Sequence, residues 1–136
     1  MTGEELQRQV AASERFAVQA AGCEVLTMER EHAVCRMKID EKVKNELGKP
    51  MGGALFTLGD YTFAIAANCQ PGRFCITQCA SVNYLRGARG GEVVAEATCV
   101  HSGHSTCVYS VAVRDEDGTP VAQMTFTGYF LYPREE

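Results

Sequence analysis

No cluster of lysine and arginine and no basic helical stripe runs through this sequence, whose formal net charge is −4. Nucleic acid as the main partner would demand such a surface to meet its phosphates, so that class is set aside and any anionic ligand must be met locally. No apolar run is long enough to span a bilayer: the longest, residues 50–67, is short and carries Asp60 near its middle. The opening MTGEELQRQV lacks the basic region and apolar run of a secretory signal, and its acidic residues do not suit a mitochondrial transit peptide. A cytoplasmic protein without membrane contact is expected. Disulfide signals are missing too. The seven cysteines (Cys23, Cys35, Cys69, Cys75, Cys79, Cys99, Cys107) are odd in number and form no CxxC pair, which points to reduced, packed thiols. No repeat, low-complexity tract or linker divides the chain, and 136 residues suit one domain, 1–136, since halves would be too small to bury a core.

What is present reads as α+β. Residues 2–20 carry Leu6, Val10, Ala11, Phe16 and Val18 among charges, the pattern of an amphipathic helix ending near Gly22. Residues 23–28 and 33–39 read as two strands around the polar EREH turn, followed by a charged loop over 40–50. From residue 53 to 68 the sequence GALFTLGDYTFAIAAN is apolar almost all round, as expected of a helix enclosed on most sides, and Asn68, Pro71 and Gly72 end it. Four strand-like segments follow, at 74–85, 92–101, 106–114 and 121–130, separated by GARGG, SGHS and DEDGTP. Short separators predict an antiparallel meander of all four. A sheet curled around one very apolar helix satisfies both apolar faces.

Asp60 is the only charged side chain between Lys49 and Arg73, with Phe56, Phe63 and Ala64 at helical spacing around it. Burying an unpaired carboxylate costs several kcal/mol, so such a helix does not carry one without cause. Either an arginine such as Arg73, Arg86 or Arg89 pairs with it, or it lines a cleft. The Gly52-Gly53 pair at the start of the same helix lets a ligand approach the backbone, where unpaired N–H groups favour an oxyanion.

Taken together, NELGKPMGGALFTLGDYTFAIAANCQ and ITQCASVNYLRGARGGEVVAEATCVHSGHSTCVYSVAVRDEDGTPVAQMTFTGYF resemble the phenylacetate-degradation (PaaI-like) type of hotdog acyl-CoA thioesterase over nearly the whole chain. The positions that carry the resemblance are Asn45, Gly48, Gly52, Gly53, Leu58, Gly59 and Asp60, the strand before Arg86, the Gly103 turn and the Asp117-Gly118 turn. The resemblance implies a hotdog fold: an antiparallel sheet of about six strands wrapped around one central helix, preceded here by an N-terminal helix. It implies a homodimer or a homotetramer built as a dimer of dimers, with the active site shared between subunits. Asp60 is then the general base or the nucleophile, and Gly53 N–H the oxyanion donor. Asn45 orients the thioester or the water, and Thr77 places a hydroxyl near the acid. Without the resemblance, Asn45 reads as a loop or capping residue and Thr77 as a strand former. Met51 and Gly52 would line the acyl site, while Arg86, Arg89, His104 and Ser105 sit on turns suited to the CoA phosphates. As bare residues the two arginines read as solvated surface.

Two departures stand out. Met51 replaces the histidine of the family's HGG, and methionine packs against an acyl chain but gives no hydrogen bond. Gly87 stands where a proline commonly follows the arginine. His101 and His104 cross a turn without a third ligand, so no metal is expected, nor any cofactor. The alternatives are an acyl-CoA binder without turnover, motivated by Met51, and a dehydratase, which would want a histidine near the helix although none lies between His32 and His101. The N-terminal segment is too short for a helix-turn-helix regulator.

Overall fold

The computed structural model describes Glu5 and residues 14–134. Leu6, Val10 and Ala11 of the expected N-terminal helix lie outside these residues. What the structure describes of it is a π-helical segment, Arg15–Ala20, closed by a bond from the Ala21 N–H to Phe16 O. Gly22, at φ 77°, then turns the chain into the sheet, a left-handed conformation that favours glycine.

Six strands and one long helix follow: β1 (Cys23–Glu29), β2 (His32–Lys38), helix α1 (Gly52–Ala67), β3 (Phe74–Tyr84), β4 (Glu92–Ser102), β5 (Thr106–Asp115) and β6 (Pro120–Leu131). These bounds fall within a few residues of those expected from periodicity. Strand alternation explains why each forms where it does. On β2 the buried residues are Ala33, Cys35 and Met37, on β4 Val93, Ala95 and Ala97, and on β5 Cys107, Tyr109, Val111, Val113 and Asp115. Every second side chain therefore faces one side, and that side wraps α1, which touches all six strands. Phe63 of the helix stacks on Phe126 at 5.1 Å and meets Tyr109 edge-on at 5.3 Å, so three aromatic rings link helix, β5 and β6.

The sheet order β1-β2-β4-β5-β6-β3 corrects the expected four-strand meander. Only β4, β5 and β6 form one. β3 pairs with β6, from Phe74↔Leu131 to Tyr84↔Ala122, and β4 pairs with β2, from His32↔Thr98 to Lys38↔Glu92. The GARGG segment is thus a crossover between non-adjacent strands, not a hairpin turn. A period of two looks the same whichever neighbour a strand takes, and the pairing is decided by contacts the local sequence does not show. β3 lies at the sheet edge, and most of its side chains are exposed on both faces.

All seven cysteines are free thiols, as expected, although Cys79 is exposed and Cys99 half-buried. Burial pushes the Cys23 thiol up to about 12 and the Cys35 thiol up to about 11, which leaves both uncharged packing groups. Cys75 on β3 and Cys107 on β5 bring their sulfurs to 3.7 Å over the intervening β6, at Gly128. A Cβ at Gly128 would meet the Cys107 sulfur at 2.9 Å and the Phe63 ring at 2.9 Å, and the Cys75 sulfur closer still. Gly128→Ala is therefore expected to lose about 1–3 kcal/mol of stability in urea titration, and removing the Cys75 sulfur in the same chain to recover part of it.

Candidate active site

The site grows from the start of α1. Val43 O accepts the Met51 N–H at 2.8 Å, and Met51 O accepts from Ala54 N at 3.0 Å and Leu55 N at 3.2 Å. The amides of Gly52 and Gly53 come before these first helical bonds, and among the described residues neither donates to another group. What residue 51 contributes to this geometry is its backbone, which methionine supplies as well as histidine would.

The preceding loop is tied on itself by Asn45. Its Oδ1 accepts the N–H groups of Leu47 at 3.0 Å and Lys49 at 3.2 Å, and its own N–H donates to Lys49 O at 2.7 Å. Two donors on one atom identify that atom as the oxygen and leave the Asn45 NH2 without a partner among the described residues.

One stripe of the helix is open. Gly53 is exposed, and Phe56, Thr57, Asp60 and Ala64 are half-buried, at the spacing that places them on one face. Asp60 stands seven residues, or about 10 Å, beyond Gly53, and its side chain tilts back toward the helix start. Asp60 Oδ1 accepts a 2.7 Å bond from Thr77 Oγ1 on β3. Burial pushes the Asp60 carboxyl above the usual carboxylate range, and the Thr77 bond only partly opposes that.

The arginine partner considered for Asp60 is absent. Arg73 donates to Gly103 O at 2.7 Å and Ser102 Oγ at 3.1 Å and lies 3.5 Å over the Phe130 ring. Arg86 pairs with Asp115 at 3.1 Å. Arg89 is exposed, and its bond to Asp115 is made by the backbone N–H. Asp60 lines a cleft instead. A cavity of about 200 Å³ bounded by Glu14, Phe16, Phe56, Thr57, Asp60 and Tyr61 adjoins one of about 370 Å³ bounded by Phe16, Val43, Met51, Gly53 and Thr57. Phe16 and Thr57 belong to both. A larger hollow, about 650 Å³, lies by Tyr84, Leu85, Arg114 and Gln123, without a carboxylate in its wall.

Asp60, Thr77, Gly52, Gly53 and Met51 thus gather around the open stripe, with Asn45 on the loop that leads into it. The four turn residues do not gather within one chain. Arg86 and Arg89 stand beside the β5–β6 turn, whereas His104 and Ser105 stand before β5, a strand of ten residues or about 30 Å. His104 stacks on Tyr132 at 4.8 Å, and Ser105 is exposed. Phe16, Thr57 and Tyr84 were not singled out from the sequence. Thr57 sits at helical spacing from Asp60 and was legible there, while Phe16 and Tyr84 read as ordinary helix and strand formers. Among the described residues no group of three His, Cys, Asp or Glu is placed to hold a metal, and no helix is long and apolar enough to cross a membrane.

The Thioesterase superfamily profile matches residues 48–122, more than half of the chain. The chain is 31% identical over 104 residues to the acyl-coenzyme A thioesterase PaaI of Escherichia coli K12, covering 76% of this chain and 74% of that one. The solved E. coli PaaI structure, from the phenylacetic acid degradation operon, superposes with a TM-score of 0.88 at 24% identity over 95% of this chain and 93% of that chain, which fixes the fold. A hypothetical thioesterase protein of Streptococcus pneumoniae, solved with coenzyme A, superposes at 0.76 with 29% identity over 89% and 96% of the two chains. The chain therefore belongs to the thioesterase superfamily, as a PaaI-like hotdog thioesterase, and is an enzyme of thioester hydrolysis.

Asp115 anchors the crossover that carries Arg86 and Arg89. It is 3% exposed and accepts the N–H groups of Arg89 at 2.7 Å, Gly90 at 2.9 Å and Glu116 at 3.1 Å besides the Arg86 guanidinium. Burial acts to raise its carboxyl, but these donors outweigh it and hold it below the usual range. A depressed carboxyl stabilises the fold at pH above its unfolded value and loses that contribution as pH falls through the folded one. Asp115→Asn should cost about 1–3 kcal/mol at neutral pH. In urea titrations at neutral and strongly acidic pH, its gap from wild type should narrow on acidification.

Proposed function

We propose that the chain hydrolyses the thioester of an acyl-CoA bearing a small, medium-chain or aryl acyl group, with Asp60 as its central carboxylate. The observation that carries this reading is the half-buried Asp60, bonded to Thr77 Oγ1 at 2.7 Å and, among the described residues, with no cation beside it, on the same open stripe as the Gly53 amide, which has no acceptor among those residues. A raised carboxyl suits a proton acceptor better than an ordinary one, because basicity rises with pKa.

Two routes balance. As general base, Asp60 takes a proton from water as the water oxygen bonds to the thioester carbon. The carbonyl oxygen becomes an oxyanion held by Gly53 N–H, and collapse breaks the C–S bond as Asp60 gives its proton to the leaving sulfur, releasing carboxylic acid and the CoA thiol and restoring the carboxylate. As nucleophile, the Asp60 oxygen itself bonds to that carbon and expels the thiolate, leaving a mixed anhydride that water opens. On both routes Thr77 holds one carboxylate oxygen so that the other faces the carbonyl, and the free Asn45 NH2 orients thioester or water.

The adjoining apolar cavity of about 370 Å³, with Met51, Gly53 and Phe16 in its wall and Gly52 next in the chain, suits an acyl group of modest size. Arg86, bound to Asp115, shapes the turn from which Arg89 meets the CoA phosphates, with His104 and Ser105 as the second set of contacts. Those two sets lie at opposite ends of one sheet. Antiparallel pairing of two β3 edges would carry the Arg89 end of one protomer toward the His104 end of another, which supports a homodimer, or a tetramer of two such dimers, with a shared site.

A panel of acyl-CoAs with a thiol reagent tests the proposal. Wild type should release thiol, and Asp60→Asn should lower kcat/KM about a hundredfold or more. No release above background, or undiminished release by the variant, would overturn it. The acid limb of kcat/KM should have its midpoint above the ordinary carboxylate range, with activity rising with pH as Asp60 ionises. Thr77→Val should move that midpoint higher, since it removes the bond that favours the charged form, and should reduce kcat/KM about three- to tenfold.

A further inference from the structure

Tyr84 closes β3 and donates its hydroxyl to Gly52 O at 2.8 Å. Its ring covers the α-carbon of the same residue: a Cβ on Gly52 would stand 3.1 to 3.3 Å from the ring and hydroxyl atoms. The Gly52 carbonyl and the Gly53 N–H belong to one peptide unit, which is planar and trans, so the two groups point in opposite directions. Whatever holds the carbonyl therefore aims the N–H. Gly52 opens α1, so its carbonyl also accepts the helical N–H of Phe56, and the Tyr84 hydroxyl takes the second lone pair of that oxygen at a glycine pair whose backbone is otherwise free to tilt. A hydrogen bond to the oxygen also draws electron density from nitrogen and strengthens the N–H as a donor.

We infer that Tyr84 is a positioning residue for the oxyanion site: its bond to Gly52 O sets the direction and donor strength of the Gly53 N–H. The inference rests on the proposed role of that amide in hydrolysis. It also accounts for a tyrosine at the end of an exposed strand, where packing alone would ask for no phenol. The neighbouring peptide is treated alike, since Thr57 Oγ1 donates to Gly53 O at 2.8 Å. Both carbonyls at the helix opening thus receive a side-chain hydroxyl, one from the sheet and one from the helix.

Tyr84→Phe keeps the ring on Gly52 and deletes the hydroxyl. The expected result is a kcat about tenfold lower, with KM within about twofold of wild type and an unchanged thermal midpoint. The second readout uses a CoA ketone in which a methylene separates sulfur from a 13C-labelled carbonyl, which binds without being cleaved. In wild type the infrared carbonyl stretch should move down from its value in water. In Tyr84→Phe that displacement should shrink at unchanged affinity. Normal kcat and an unchanged stretch in the variant, while wild type hydrolyses acyl-CoA, would overturn the inference and leave the thioesterase reading standing. Loss of thermal stability, with kcat and KM changing together and the stretch unaltered, would reduce Tyr84 to a structural prop. Absence of thiol release by wild type from every acyl-CoA would remove the underlying reading, and this inference with it.

Discussion

The structure depends on how closely one helix can lie inside a curled sheet. Helix α1 is sixteen residues long and buries ten of them, so its backbone must approach the strands more nearly than large side chains on both surfaces would allow. Two glycines make room. A Cβ at Gly59 would collide with the Met124 sulfur, and one at Gly128 would enter the space of Cys75, Cys107 and Phe63. With the helix seated this deeply, among the described residues a stripe through Gly53, Phe56, Thr57, Asp60 and Ala64 stays open, and the proposed chemistry falls on it.

That placement sets the electrostatics. A carboxylate in a half-closed cleft is poorly solvated, and nature's usual remedy is a cation at its side. Here the nearby arginines are engaged elsewhere, Arg73 with the β4–β5 turn and Arg86 with Asp115. The Asp60 charge is met by one hydroxyl, which orients it without neutralising it. Asp115 is the contrasting case in the same molecule: equally a carboxylate, but surrounded by N–H donors that keep it ionised, and so suited to holding a loop rather than to accepting a proton.

Much of this could be read from the chain alone, and the reasons it could differ from residue to residue. The strands and α1 announce themselves through alternation and an unbroken apolar run, because burial imposes those periods wherever an element packs. Asp60 is conspicuous for the converse reason, as the one charge where the period demands none. Thr77 carries no such signal: a threonine in a strand is ordinary, and only resemblance to a family pointed to it. The place of β3 beside β6 was hidden, since pairing partners leave no mark on a period-two pattern. Tyr84 was hidden for a similar reason. Its hydroxyl acts on a peptide thirty-two residues away, a relation that exists only once the chain has crossed back over itself.

The composition of β3 has one more consequence. From Phe74 to Tyr84 there is no charged residue and no proline, the devices by which sheet margins ordinarily discourage indiscriminate addition of further strands. The bare β3 edge is therefore a template for indiscriminate strand addition. Conditions that leave this edge uncovered for long, slow completion of folding above all, favour clumping.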